Sequence, residues 1–152
     1  MTHLSVGDIA PDITGNIQDG TSFDWKQLKG KGLILFFYPK DNTPGCTAEA
    51  CSLRDSFEAL RDKGYELLGV SADSEKKHQN FISKFSLPFD LLADTEKEIL
   101  NAFGVWGPKK FIGKTYDGIH RTTFVIGSDK KIQHIYQKVK TKSHADQILA
   151  DL

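Results

Sequence analysis

Apolar residues recur along the chain in two patterns, short unbroken runs and stripes with helical spacing. The run Leu33–Tyr38 is apolar at every position, which is typical of a strand that is covered on both faces. Between residues 50 and 60 the apolar positions recur at spacings of three and four. This spacing predicts a helix with one buried face, which we expect to end near Gly64.

The segments that follow continue this alternation. The pattern predicts a strand over 66–71, a helix over 74–85, a short strand over 89–92 and a short helix over 96–103. Strands that alternate with helices are typical of an α/β fold with parallel strands at the centre of the sheet.

Antiparallel features are predicted at both ends of the chain. Asp19-Gly20, between two short segments, predicts a small N-terminal β-hairpin. Residues 121–126 and 131–136 predict two strands around a tight turn, and Ser143 predicts the start of a last helix. The order β-α-β-α-β-α-β-β-α matches a thioredoxin-like fold, with a central mixed β-sheet flanked by helices.

Length and charge limit the possible functions. The 152 residues suit one domain, 1–152, with a sizeable core. Twenty Lys and Arg balance twenty Asp and Glu, so we expect no nucleic-acid partner. The basic stretch 109–114 and the later Lys138, Lys140 and Lys142 suggest a polyanion site, but lysines near loops and strand edges usually face water or block edge pairing, so we do not expect such a site. The opening Met1–Asp8 does not resemble a secretion signal and no apolar run approaches the roughly 20 residues that span a bilayer, so we expect a cytoplasmic protein with no membrane partner.

The chain has only two cysteines, Cys46 and Cys51, and they lie five positions apart. In a reducing cytosol, cysteines this close are more often reactive or metal-binding than structural. A zinc site would need further Cys or His ligands nearby, and the five histidines are scattered along the sequence. We therefore expect reactive thiols and no metal.

Cys46 follows a turn, Thr43-Pro44-Gly45, at the predicted start of a helix. The unpaired N–H groups and the positive end of the dipole at a helix N-terminus favour a thiolate. The Thr43 hydroxyl is placed to donate a hydrogen bond to the sulfur or to an oxygen bound beside it. Pro39 and Pro44 fix φ in the turn, and Pro39 also offers an apolar wall against water.

Ionisation alone makes a modest catalyst. A free cysteine is a few per cent thiolate at neutral pH, so complete ionisation gives only about thirtyfold, or roughly 2 kcal/mol. Fast chemistry also needs a donor for the charge that develops on a leaving oxygen. Arginine is always charged and presents several N–H groups, and Arg121, at the start of a late strand, is our candidate.

Each of these residues has a plainer interpretation by itself. An isolated cysteine is usually a small buried apolar residue, Thr43 has the position of a helix cap, and Arg121 has that of a solvated charge at a strand end. Trp106 is placed either to line a pocket or to pack in the core. Only the combination favours a reactive site.

Pro39-x-x-x-Thr43-x-x-Cys46 after a strand resembles the active-site signature of the peroxiredoxins. The segment Thr43–Cys51 is similar to that of the bacterioferritin comigratory protein, or Q-type, subgroup, in which the second cysteine follows the first by five residues. The likeness covers nearly the whole chain and includes three further segments, 7–12, 69–73 and 104–107.

The resemblance implies a thiol-dependent peroxidase that reduces hydrogen peroxide and organic hydroperoxides. Cys46 would be the peroxidatic nucleophile and Cys51 the resolving thiol, with a sulfenic acid and then an intramolecular disulfide as intermediates. Thr43 and Arg121 would bind the peroxide and Pro39 would shield it, while Glu49 also fits the subgroup. The resemblance further implies regeneration by thioredoxin or a similar dithiol, no bound cofactor, and a monomer.

Helix geometry makes one demand on this chemistry. Residues five apart in a regular helix have Cα atoms about 8.6 Å apart, whereas a disulfide tolerates about 4.4 to 6.8 Å. If both cysteines lie in regular helix, oxidation must therefore unwind residues 46–51.

Two other functions compete with a peroxidase. A protein thiol–disulfide oxidoreductase would share the fold, but such enzymes usually carry Cys-x-x-Cys, whereas four residues intervene here. A redox-sensing module would use the disulfide as a switch and not as a turnover intermediate.

Overall fold

The computed structural model describes residues 2–152. Of the opening segment 1–8, only Met1 lies outside the described residues. Within 2–152, eight strands and five α-helices follow one another. The strands are β1 (Asn16–Ile17), β2 (Gly32–Phe37), β3 (Tyr65–Ser71), β4 (Asp90–Ala93), β5 (Trp106–Phe111), β6 (Lys114–Ile119), β7 (Thr122–Ile126) and β8 (Ile132–Tyr136). The helices are α1 (Pro44–Asp55), α2 (Phe57–Asp62), α3 (Glu75–Phe85), α4 (Glu98–Ala102) and α5 (His144–Leu149).

Six of the strands form one mixed sheet in the order β1-β4-β3-β2-β7-β8. The central pairs β2–β3 and β3–β4 are parallel, and β2–β7 and β7–β8 are antiparallel. The sheet confirms the thioredoxin-like mixed α/β fold that the sequence predicts. All six residues of β2 are buried, as the unbroken apolar run requires.

The core lies on both faces of this sheet. Alternate residues of β2 divide between the two faces, so that Leu33, Leu35 and Phe37 pack on one side and Ile34 and Phe36 on the other. Helices α1 and α5 cover the second face together with α3. The α1 residues Cys46, Ala50 and Leu53 belong to this packed cluster, so the helix is held against the sheet.

Two segments differ in detail from the prediction. The helix predicted to run to Gly64 is divided at Ser56 into α1 and α2, although Gly64 does end it with a positive φ of 93°. The N-terminal hairpin is reduced to β1 and one bridge between Asn16 and Ser22, because β1 takes β4 as its ladder partner.

The antiparallel pair β5–β6 is a feature that the sequence pattern does not predict. Its strands pair from Trp106–Ile119 to Phe111–Lys114, and the turn leaves Phe111 and Ile112 exposed. Trp106 itself packs against the core. None of the helices within residues 2–152 has the length and apolar character needed to cross a bilayer.

Candidate active site

Cys46 is the third residue of α1, and the loop that follows β2 delivers it there. Thr43 is the N-cap residue and has extended backbone angles, while Pro44 occupies the first turn, where its missing N–H removes no helical hydrogen bond. The thiol is free, and only 2% of the Cys46 residue is exposed. The helix N-terminus therefore presents its positive end to a nearly covered sulfur.

Arg121 connects the sulfur to a buried carboxylate. Its Nη2 donates to Cys46 Sγ at 3.3 Å, and its Nη1 donates to Glu49 Oε1 at 2.7 Å. One planar guanidinium thus binds both groups, an arrangement that a lysine ammonium does not reproduce. Arg121 lies immediately before β7, and the antiparallel pairing of β7 with β2 brings it beside the start of α1.

Gly45 allows this close approach. A Cβ added at residue 45 would lie 3.2 Å from Arg121 Nη2, which is closer than ordinary van der Waals contact. The glycine in the Thr-Pro-Gly-Cys turn thus makes room for the guanidinium.

Thr43 uses its hydroxyl differently from the prediction. Its Oγ1 donates to the carbonyl of Lys40 at 2.8 Å, so the single hydroxyl proton points to the loop and not to the sulfur. The hydroxyl oxygen retains lone pairs that can accept a hydrogen bond. Pro39, at the start of the same loop, is half-buried.

Cys51 lies on the same helix as Cys46, in regular α-helical structure, and is also free. It is half-buried, so it is more open to solvent than Cys46. Both cysteines therefore meet the condition under which the sequence predicts that a disulfide requires unwinding.

Glu49, which accepts from Arg121, is paired with a second buried ionisable side chain, His144. Both side chains are fully buried, and His144 Nε2 lies 3.6 Å from Glu49 Oε2. Burial raises the pKa of Glu49 to about 7 against the opposing attraction of Arg121. Burial also lowers the pKa of His144 to about 4, which a hydrogen bond to Gln147 partly opposes.

Lys109 approaches the site from β5. Its Nζ donates to the carbonyl of Ile119 at 2.8 Å, and the residue is half-buried. Burial lowers the pKa of Lys109, and the positive charge of Arg121 lowers it further. Lys109 thus directs its ammonium group to a backbone carbonyl of β6 and not only to water.

A buried polar network anchors the loop that carries Pro39 and Thr43. Tyr38 Oη donates to Asp41 Oδ1 at 2.5 Å, and Asp41 Oδ2 lies 2.6 Å from His78 Nδ1. The other ring nitrogen of His78 lies 3.0 Å from the carbonyl of Leu92. The His78 ring thus connects Asp41 of the loop to the backbone of β4.

The structure brings Cys46 and Arg121 together with Glu49, and it adds residues that the sequence did not single out. His144 lies far from Cys46 in the sequence and belongs to no motif, and Lys109 belongs only to the basic stretch 109–114. Ser143, next to His144, is the expected N-cap of the last helix but makes no side-chain capping hydrogen bond. The helix-start pattern in the sequence therefore gives little indication of the position of His144. No group of three or more His, Cys, Asp or Glu side chains within 2–152 is arranged to hold a metal ion.

The sheet is thioredoxin-like, and it carries a cysteine at a helix N-terminus whose sulfur accepts a hydrogen bond from an arginine. This combination defines a thiol-based oxidoreductase. The AhpC/TSA family model matches residues 6–135. Peroxiredoxin Bcp of Escherichia coli strain K12 is 44% identical over 149 residues, covering 98% of this chain and 96% of the relative. Peroxiredoxin Bcp of Bacillus subtilis strain 168 is 43% identical over 149 residues, covering 98% and 95%.

Solved structures agree with these relatives. Peroxiredoxin Q of Xanthomonas campestris superimposes with a TM-score of 0.86 at 34% identity, covering 99% of this chain and 95% of that one. A cysteine-to-serine variant of Xylella fastidiosa PrxQ superimposes with a TM-score of 0.91 at 30% identity, covering 99% and 96%. The chain belongs to the AhpC/TSA family of peroxiredoxins, in its bacterioferritin comigratory protein or Q-type subgroup, and is a thiol-dependent peroxidase.

Proposed function

We propose that Cys46 is the peroxidatic nucleophile of this peroxidase and Cys51 its resolving thiol. The observation that carries the proposal is the 3.3 Å hydrogen bond from Arg121 Nη2 to Cys46 Sγ at the N-terminus of α1. A fixed cation and a helix dipole both favour the thiolate, which is the nucleophilic form.

In the first step the Cys46 thiolate attacks one peroxide oxygen. The S–O bond forms as the O–O bond breaks, so the sulfur is oxidised to a sulfenic acid, and the leaving oxygen takes up a proton and departs as water or an alcohol. Arg121 is placed to stabilise the charge on that oxygen. Thr43 would accept a hydrogen bond from the peroxide O–H, and Pro39 would shield the bound peroxide from water.

In the second step the Cys51 thiol condenses with the sulfenic acid. Water leaves and a Cys46–Cys51 disulfide forms. An external dithiol then reduces this disulfide by exchange, and we propose thioredoxin or a similar protein for that role. The half-buried position of Cys51 supports it as the sulfur that the reductant first approaches.

The substrate range includes hydrogen peroxide and organic hydroperoxides in this proposal. Its support is a solved structure of the Xanthomonas campestris bacterioferritin comigratory protein, whose alkyl peroxide reduction activity was the subject of that work; it is 33% identical to this chain. We further propose that residues 1–152 act as one domain, as a monomer in the cytoplasm, without a bound cofactor.

Steady-state peroxide turnover with thioredoxin tests these assignments. Cys46→Ser is expected to abolish turnover. Cys51→Ser is expected to reduce one equivalent of peroxide and then stop, and an added small thiol should restore its turnover. Activity on protein disulfides without peroxide, or a slow stoichiometric reaction in the parent chain, would overturn the proposal in favour of an oxidoreductase or a redox sensor.

A further inference from the structure

One oxygen of the buried Glu49 carboxyl lacks a hydrogen-bond partner. Oε1 accepts from Arg121, but Oε2 accepts no hydrogen bond from any residue within 2–152. His144 Nε2 lies 3.6 Å from Oε2. An unpaired carboxylate oxygen in a dry site is costly, so the protonation of this pair matters.

The protonation of His144 follows from its neighbours. The Gln147 amide is oriented by the backbone, because its Nε2 donates to the carbonyl of Lys138 at 2.9 Å and its Oε1 accepts from Lys140 N at 3.2 Å. Gln147 Oε1 also lies 2.9 Å from His144 Nδ1. A carbonyl oxygen only accepts, so Nδ1 carries a proton and the neutral ring has its lone pair on Nε2.

The same ring nitrogen, Nε2, also lies 3.6 Å from the unpaired carboxyl oxygen. Thr123 Oγ1 lies 2.8 Å from His144 Nε2 and donates to it in the neutral ring. Glu49 Oε2 and His144 Nε2 are then two acceptors that face each other in a buried site, and they repel unless a proton lies between them. One proton on either group removes this repulsion.

The charges of the site also call for that proton. A Cys46 thiolate and a Glu49 carboxylate would be two anions hydrogen-bonded to one guanidinium, that of Arg121, in a region where Cys46 is 2% exposed and Glu49 fully buried. A net charge in such a region is unfavourable. With one proton on the Glu49–His144 pair, the side chains of Cys46, Arg121, Glu49 and His144 carry no net charge, and the charge of Arg121 is directed at the sulfur.

The other groups around the pair do not replace this proton. From β8, the Tyr136 ring packs edge-on against His144 at 5.8 Å, and its hydroxyl donates to Asp151. Burial raises the pKa of Tyr136, so it stays neutral. From β5, Lys109 Nζ donates to the carbonyl of Ile119, and its charge interacts with Arg121 and Cys46.

We propose that His144 is a positioning residue for the reaction of Cys46, which together with Glu49 holds one proton while Cys46 is a thiolate. This inference rests on the assignment of Cys46 as the peroxidatic nucleophile. When the pair loses its proton at higher pH, the Glu49 carboxylate competes with the sulfur and with the leaving oxygen for the charge of Arg121. The first chemical step then slows, although the thiolate is present.

Two measurements test the proposal. The first is the pH dependence of sulfenic acid formation at Cys46, followed by rapid quench and mass spectrometry in a Cys51→Ser background. The parent rate constant is expected to fall as pH rises through about 7, the pKa of Glu49. Glu49→Gln should remove this fall. His144→Gln, whose amide would donate to the carboxylate, should move it about one pH unit lower, so that the rate near neutrality drops up to about tenfold.

The second measurement does not depend on activity. The ¹³C resonance of the Glu49 carboxyl, identified by its absence in Glu49→Gln, should titrate near pH 7 in the parent chain and at lower pH in His144→Gln. It should also titrate at lower pH in Cys46→Ser, because the coupled thiolate is gone. His134→Gln on β8 is the matched control and should match the parent in both experiments.

Three results would overturn the inference. The first is a Glu49 resonance that titrates at the ordinary value of 4.5 in the folded parent. The second is a Glu49 titration that Cys46→Ser leaves unchanged. The third is a pH profile of sulfenic acid formation that His144→Gln leaves unchanged. The failure of the proposed function is a different result, since a parent chain that forms no sulfenic acid at Cys46 would refute that function while the carboxyl titration could still be read.

Discussion

Cys46 and Cys51 lie five positions apart on one unbroken helix, α1, and both thiols are free. In a regular helix their Cα atoms are about 8.6 Å apart, beyond the roughly 6.8 Å limit for a disulfide. The reduced fold therefore holds the two sulfurs apart, and in the proposed mechanism local unfolding has to precede formation of the disulfide.

Oxidation is expected to unwind the first turns of α1. Amide hydrogen exchange should show lost protection over 44–52 in the disulfide form. The amide of Ala145, which donates to Ser52 Oγ at 3.1 Å, should lose protection with it. A Cys51→Ser chain carrying the sulfenic acid is the control and should keep the protection of the reduced state. Equal protection in the reduced and disulfide forms of the parent would contradict this prediction.

Removing the Arg121 guanidinium should slow the first step strongly. Arg121→Ala is expected to raise the barrier by about 3 to 4 kcal/mol, on the scale of a lost oxyanion donor, or roughly 10² to 10³ in rate. Arg121→Lys keeps the charge but loses the fork that reaches both Cys46 and Glu49, so it should recover only part of that loss. The measurement is the rate of Cys46 oxidation by hydrogen peroxide.

A control separates catalysis from stability at this position. Arg121→Ala leaves the buried Glu49 without its cation, which should destabilise the fold. Adding Glu49→Gln to Arg121→Ala should restore stability in urea denaturation without restoring the rate. A double variant that regains the parent rate would show that Arg121 acts only through folding.

Gly45→Ala should impair catalysis while sparing the fold. The added Cβ would lie 3.2 Å from Arg121 Nη2, so the guanidinium has to move away from the sulfur. Alanine is a better helix former than glycine, so the melting temperature should hold or rise. We expect a several-fold slower oxidation of Cys46. An unchanged rate with a lowered melting temperature would contradict this account of Gly45.

The buried Glu49 should make stability depend on pH. Its pKa is raised from an ordinary 4.5 to about 7, so the folded state favours the protonated form. No penalty exists below pH 4.5, the penalty grows between 4.5 and 7, and it is complete above 7. The gap between the two values corresponds to roughly 3 kcal/mol at about 1.36 kcal/mol per pKa unit.

Glu49→Gln, which cannot ionise, should therefore stabilise the reduced chain more at pH 8 than at pH 5. Urea denaturation at the two pH values measures the difference. His144 acts in the opposite direction, because its lowered pKa of about 4 disfavours the fold as pH falls below its ordinary 6.5. An equal effect of Glu49→Gln at pH 5 and pH 8 would count against the raised pKa.

The central elements were predictable because their patterns are local. The unbroken run Leu33–Tyr38 could only be a covered strand, and helical spacing located α1 and α3. The hairpin β5–β6 escaped prediction because its residues are mixed in polarity and lack an alternation that favours strands. Ser56 likewise gave no signal that the helix predicted before Gly64 would divide.

The sequence by itself determined the part of the site that lies in α1 and in the turn before it. Cys46, the turn before it and Cys51 are close in the chain, so local spacing places a thiol at a helix start with a second thiol on the same helix. Tertiary structure alone decided which distant residues surround the sulfur. Strand pairing brings Arg121 beside Cys46, and the packing of α5 brings His144 against Glu49. Arg121 is 75 positions from Cys46 in the chain, and His144 is further still from Glu49. Only the folded sheet and its covering helices fix distances between residues so far apart in the sequence.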